Sequence, residues 1–148
     1  MLKALHVLGA VVFLGNIIVT ALWKGLADRT RNPVIVAFGQ RLVMVTDIAF
    51  TATGAALLAI TGTAMAGDYD HTDWLDLGIM LFVGSGVIWL AILISVEILQ
   101  ARMARIFRSG GEIPPRYWRL NILWMVFGTI AVILPLINVY LMVAKPAY

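Results

Sequence analysis

From Leu2 to Trp23 the chain carries no acidic residue, and its only ionisable side chains are Lys3 and His6. At about 1.5 Å of rise per residue, a helix of that length crosses a hydrocarbon layer about 30 Å thick. Three further apolar runs follow, so the sequence predicts membrane-spanning helices over about 2–24, 42–66, 77–100 and 120–143. Lipid supplies no hydrogen bonds to backbone, and the expected fold is an all-α, four-helix transmembrane bundle in one integral membrane domain. The first run outlasts the apolar stretch of a secretory leader and ends at Trp23 and Lys24 without a small-residue cleavage pattern, so it reads as a retained span.

Composition narrows the chemistry. With 61% hydrophobic and 13% charged residues, the chain is too apolar for a soluble domain. It has no cysteine, which excludes disulfides, thiolate metal sites, iron–sulfur clusters and covalently attached haem. The pI near 9.6 comes from basic residues flanking the spans, where they set orientation and touch anionic lipid, so no nucleic-acid partner is inferred. Lys24, Arg29, Arg31, Arg41, Arg102, Arg105, Arg108, Arg116 and Arg119 fall on one side, and only Lys3 and Lys145 on the other. The positive-inside rule then puts the first and third connections in the cytoplasm of a bacterial inner membrane. Both termini and the acidic middle loop are expected in the periplasm.

The connections carry their own signals. Asn32 before Pro33 predicts a helix N-cap with proline at the first helical position. A Ser-Gly-Gly turn and Pro114-Pro115 separate the third helix, which extends toward Phe107, from the fourth, anchored by Tyr117, Trp118 and Arg119. The middle loop groups His71 with Asp68, Asp70, Asp73 and Asp76; this is either a solvated acidic turn or a weak divalent-cation site.

At 100° per residue, polar and small residues form one stripe on three spans. These are His6, Gly9, Phe13, Asn16, Thr20 and Lys24 on the first and Gln40, Asp47, Thr51, Gly54, Leu58, Thr61 and Met65 on the second. The fourth span carries Asn121, Trp124, Gly128, Ala131, Pro135, Asn138 and Met142. Pro135 removes a backbone donor and frees the carbonyl of Ala131, which needs a neighbour, a water or a ligand. Gly84-Ser85-Gly86 thins the third span and would admit a second copy, giving a homodimer.

Depth sorts the ionisable residues into two layers. Toward the basic side lie Lys24, Arg41, Asp47 and Glu97. They read either as a proton relay, substrate site or partner-helix site, or as charges that neutralise one another, with Asp47 paired to Arg41, Lys24 or Arg119. Toward the other side lie His6, Asn138, Met142 and Met65, below Lys3 and Lys145. A neutral imidazole there can ligate haem iron, with room for the macrocycle against Gly9, propionates on the lysines, and Met142 or Met65 as the second ligand. The alternative is a structural His6 donating to Asn138 or to a carbonyl.

The opening Leu-Lys-Ala-Leu-His-Val-Leu-Gly-Ala-Val-Val-Phe-Leu-Gly-Asn, Arg116-Tyr-Trp-Arg, Pro135-Leu-Ile-Asn138 and Tyr140-Leu-Met-Val-Ala-Lys-Pro146 resemble a bacterial family of integral membrane proteins of unknown function. The Lys-x-Leu-His start also looks like the first helix of HemJ-type protoporphyrinogen oxidases and, more distantly, of CopD-type copper-resistance proteins. The resemblance to HemJ implies that His6 ligates haem b. HemJ-type activity also uses a lysine in a later span, and spans two to four here hold none, so the likeness carries haem binding without the oxidase activity. The resulting expectation is a haem-b protein transferring electrons near the periplasmic face, for example from quinol. The alternative is a non-catalytic membrane partner or small permease that uses Lys24, Arg41, Asp47 and Glu97.

Overall fold

The computed structural model describes residues 1–67 and 72–146. Its four long helices are α1 (Leu2–Arg29), α2 (Pro33–Ala66), α3 (Asp73–Phe107) and α4 (Pro115–Ala144), each apolar and long enough to cross a membrane. The signals at the breaks work as their chemistry requires. Asn32 Oδ1 accepts from the backbone N–H of Val34 and Ile35 at 3.0 and 3.3 Å, satisfying donors that a helix start leaves orphaned. Asp68, Asp70 and His71 of the acidic loop lie outside the described residues.

α1 continues through Gly25 to Arg29, past the end expected near residue 24. This brings Lys24 and Asp28 onto one helix face, four residues apart. α2 and α3 are each interrupted by a π-helical turn, Asp47–Ala52 in α2 and Trp89–Leu93 in α3. Such a turn widens the helix by one residue and recurs at functional sites.

The helices pack in ring order. α1 lies most extensively on α2, α3 on α4, and the first half of α2 on the second half of α3; the seam between α1 and α4 is the loosest contact between neighbours. The α1–α2 crossing is close because it is made of glycines. A Cβ on Gly54 would stand 2.8 Å from the Phe13 backbone nitrogen, and one on Gly9 would stand 3.2 Å from that of Leu58. The bundle is polar inside and apolar outside: Lys24, Asp28, Gln40, Glu97 and Gln100 are buried, while Val7, Val11, Ile18, Phe38, Ile48 and Val87 face outward.

The carbonyl freed by Pro135 finds its partner inside the protein, since Ser85 Oγ donates to Ala131 O at 2.9 Å from α3. Gly86 has open space around it and Gly84 meets only Leu134 of α4. Ser85→Ala leaves the Ala131 carbonyl without a donor. Interhelical bonds of this kind contribute about 0.6 kcal/mol on average and about 1.7 at most, and the proline-freed acceptor puts this one toward the upper end. A chemical-denaturation curve in detergent should shift by that amount, and an unshifted curve would mean that a water replaces the hydroxyl.

Candidate functional site

The two π turns are joined through Trp89 and Asp47, and the buried carboxyls of α2 and α3 lie on or next to them. Asp47 opens the turn in α2, and Glu97 lies one helical turn beyond that in α3. Asp47 Oδ1 accepts from Asn16 Nδ2 at 3.0 Å and from Thr51 Oγ1 at 3.0 Å, while Trp89 Nε1 points at Oδ2 from 3.4 Å. Glu97 Oε1 accepts from Trp124 Nε1 at 2.8 Å. The two carboxyl groups line one cavity. A bond between them needs a proton held in common, because two carboxylates have no donor to offer.

Among the described residues, no lysine or arginine comes within salt-bridge distance of either group. The expected neutralising pairs of Asp47 are therefore not formed. Arg41 is exposed on the lipid-side surface of α2, and Lys24 pairs instead with Asp28, Nζ to Oδ2 at 3.1 Å. The reason is helix phase: Arg41 follows Gln40, which takes the inward position, and the extra turn of α1 supplies Lys24 with a nearer carboxylate.

A second polar cluster adjoins the first on the basic side. Tyr117 is fully buried; its hydroxyl accepts from Lys24 Nζ at 3.1 Å and has Asp28 Oδ1 at 3.2 Å and Gln40 Oε1 at 3.5 Å as acceptors for its single proton. Gln40 then donates from Nε2 to the Glu97 carbonyl at 3.3 Å. Lys24 Nζ also sits 5.3 Å from the centre of the Trp124 ring whose N–H binds Glu97. Hydrogen bonds thus run from Asp28 through Tyr117 and Gln40 to the backbone of Glu97, and a separate set joins Asp47 to Asn16, Thr51 and Trp89. A cavity of about 300 Å³ adjoins this track, lined by Asp47, Thr51, Trp89, Glu97 and Trp124 together with apolar residues that include Phe13 and Phe82. It is large enough for several waters, with polar partners among its lining residues.

The other expected layer does not converge. His6 Nδ1 lies 2.9 Å from Thr61 Oγ1 on α2, and the Thr61 hydroxyl donates to the Leu57 carbonyl, so the imidazole donates through Nδ1. Asn138 donates to the Gly78 carbonyl at 3.0 Å, and Asn138 and Met142 both press on Gly78 in the α3–α4 pair. Lys145 stacks over Trp74, 5.5 Å from the ring centre. The concavity at Gly9 is filled by the Gly54 carbonyl, the Leu57 side chain and the Leu58 backbone. The residues present therefore do not fit a haem held between His6, Gly9, Asn138 and Met142: the flat space is occupied and the ligands belong to different helix pairs. Among the described residues no cluster of three or more His, Asp and Glu side chains suited to a metal ion forms.

Sequence reasoning placed Asp47, Glu97 and Lys24 at one depth, and the structure brings these three into neighbouring clusters. It missed Asp28, assigned to a connection, and Tyr117, read as an interfacial anchor. The i, i+4 spacing of Lys24 and Asp28 was the available signal for the first. Nothing in the sequence announces that Trp89 and Trp124 aim their indole N–H groups at carboxyls.

Comparison with known proteins returns one family. Its model, described as a predicted integral membrane protein (DUF2269), matches residues 1–146. No curated protein and no solved structure matches the chain, so the likeness of its opening to HemJ- and CopD-type proteins draws no support there.

Proposed function

The chain belongs to this family of integral membrane proteins of unknown function, and from that premise we propose that it is a proton-handling bundle, a relay or small proton-coupled permease built on Asp47 and Glu97. The observation that carries the reading is the placement of two buried carboxyl groups, one from α2 and one from α3, on the lining of one cavity, with no lysine or arginine among the described residues within salt-bridge distance of either. Ionisable groups are costly in a membrane interior and are found there when they move or bind something. In this reading a proton passed between the two carboxyls is the mobile species. Asn16, Thr51 and the two indoles orient the carboxyls, and the Gln40–Tyr117–Asp28–Lys24 cluster leads toward the basic end. We place the protein in a bacterial inner membrane, with that basic end in the cytoplasm and both termini in the periplasm. Haem is not part of this reading.

The test uses proteoliposomes loaded with a pH-sensitive dye, with potassium and valinomycin clamping the potential. The native protein should collapse an imposed pH difference well above the rate of empty vesicles. Asp47→Asn or Glu97→Gln should slow it at least tenfold in protein that elutes as a folded species. Native protein no faster than empty vesicles, or both variants at the native rate, would overturn the reading.

A further inference from the structure

Two concavities lie along the loose seam between α1 and α4. One is the cavity of Asp47 and Glu97, whose rim reaches the lipid-facing surface at Ile18, Met125 and Ile133. The other, of about 520 Å³, lies at the basic end between Leu22, Leu26, Arg29 and Arg31 on the α1 side and Trp118 and Asn121 on α4. Ala21 and Met125 line both, so the two adjoin.

The basic-end concavity is constructed rather than incidental. Arg31 has φ +50°, in the left-handed region that non-glycine residues seldom enter. That backbone turn carries its guanidinium onto the Trp118 ring, 5.4 Å from the ring centre. Arg29, the last residue of α1, stands beside it. The one acidic side chain in the wall, Asp28, is occupied by Lys24 and Tyr117. What remains is a cationic, hydrogen-bonding head site at interfacial depth, flanked by the apolar side chains of Leu22, Leu26 and Met125 and next to the central cavity.

We propose that this seam binds a single anionic phospholipid, with its phosphate on Arg29 and Arg31 beside Trp118 and one acyl chain running past Ala21 and Met125 to the mouth of the cavity. Guanidinium groups match phosphate oxygens in paired hydrogen bonds, and tryptophan sits at headgroup level. A free phosphate could use the same head site but would gain nothing from Leu22, Leu26 and Met125. The site needs neither Asp47 nor Glu97, so it stands or falls apart from the proton-handling reading.

Native mass spectrometry of the whole detergent-purified chain, given equal amounts of dioleoyl phosphatidylglycerol and dioleoyl phosphatidylcholine, tests it. One phosphatidylglycerol should be retained with at least tenfold preference. Arg29→Ala/Arg31→Ala should reduce that preference to about one, and Arg31→Gly, which suits the left-handed backbone and removes only the side chain, should lower it severalfold. Glu97→Gln should leave it unchanged. Equal retention of the two lipids by the native protein, an undiminished preference in Arg31→Gly and the double variant, or full displacement by millimolar inorganic phosphate would overturn the proposal, the last pointing to a simple anion site.

Discussion

Lys24→Met is expected to lower the stability of the folded bundle by about 3–5 kcal/mol, the range for removing one partner of a buried ion pair. Lys24 is 1% exposed, and its ammonium group holds the Asp28 carboxylate at 3.1 Å and the Tyr117 hydroxyl at 3.1 Å. Methionine keeps the length of the side chain and removes the charge. Asp28 is then left buried with only the Tyr117 hydroxyl to face it. A double variant, Lys24→Met/Asp28→Leu, removes both charges and should recover most of the loss, because burying an ion pair carries a desolvation cost that an apolar pair avoids. Denaturant-induced unfolding in a mild detergent measures both. A single variant as stable as the native protein would mean that Lys24 contributes no net stabilisation where it lies.

Gly54→Leu is expected to keep α1 from seating on α2. The new Cβ would come within 2.8 Å of Phe13 N and 3.0 Å of Phe13 Cα, and backbone cannot swing aside as a side chain can. Overpacking in a tight core costs about 1–3 kcal/mol and occasionally more. Here the branched side chain would also wedge apart the crossing that sets Asn16 against Asp47. Gly15→Leu is the control, since Gly15 is exposed with no atom near its Cβ position. Size-exclusion profiles should show an aggregated or poorly expressed Gly54→Leu beside a native-like Gly15→Leu. Equal profiles would refute close glycine packing as the basis of the α1–α2 crossing.

These two sites mark what sequence can and cannot tell. Gly54 and Asp47 fall on one stripe of α2 by simple helical phase, so the inward face was legible before any coordinates. So was the need of the Ala131 carbonyl for a partner, though not that Ser85 would supply it. The apolar runs also announced four helices long enough to cross a membrane, because in lipid a helix is the only open-ended element that satisfies its backbone. What escaped was set by contacts between spans. The α1 terminus lies beyond Gly25 because Asp28 closes onto Lys24 and Tyr117, and a single-helix pattern contains no term for such a partner. The haem expectation rested on His6 and on the resemblance of the opening helix, and the room it assigned to Gly9 is a notch that the second helix fills. The π turns left no compositional mark: Asp47–Ala52 and Trp89–Leu93 read as ordinary helix.

Lys24 and Asp28 are partners on the same helix, one turn apart, and this bears on how the chain enters the bilayer in the first place. A lone lysine arriving at the translocation machinery would present a full charge before the later spans had been made. With its counter-ion four residues further along, Lys24 can be delivered as half of a balanced pair while the ribosome is still synthesising α3 and α4. Tyr117 and Trp124 arrive last, and they close over a charge that has already been balanced.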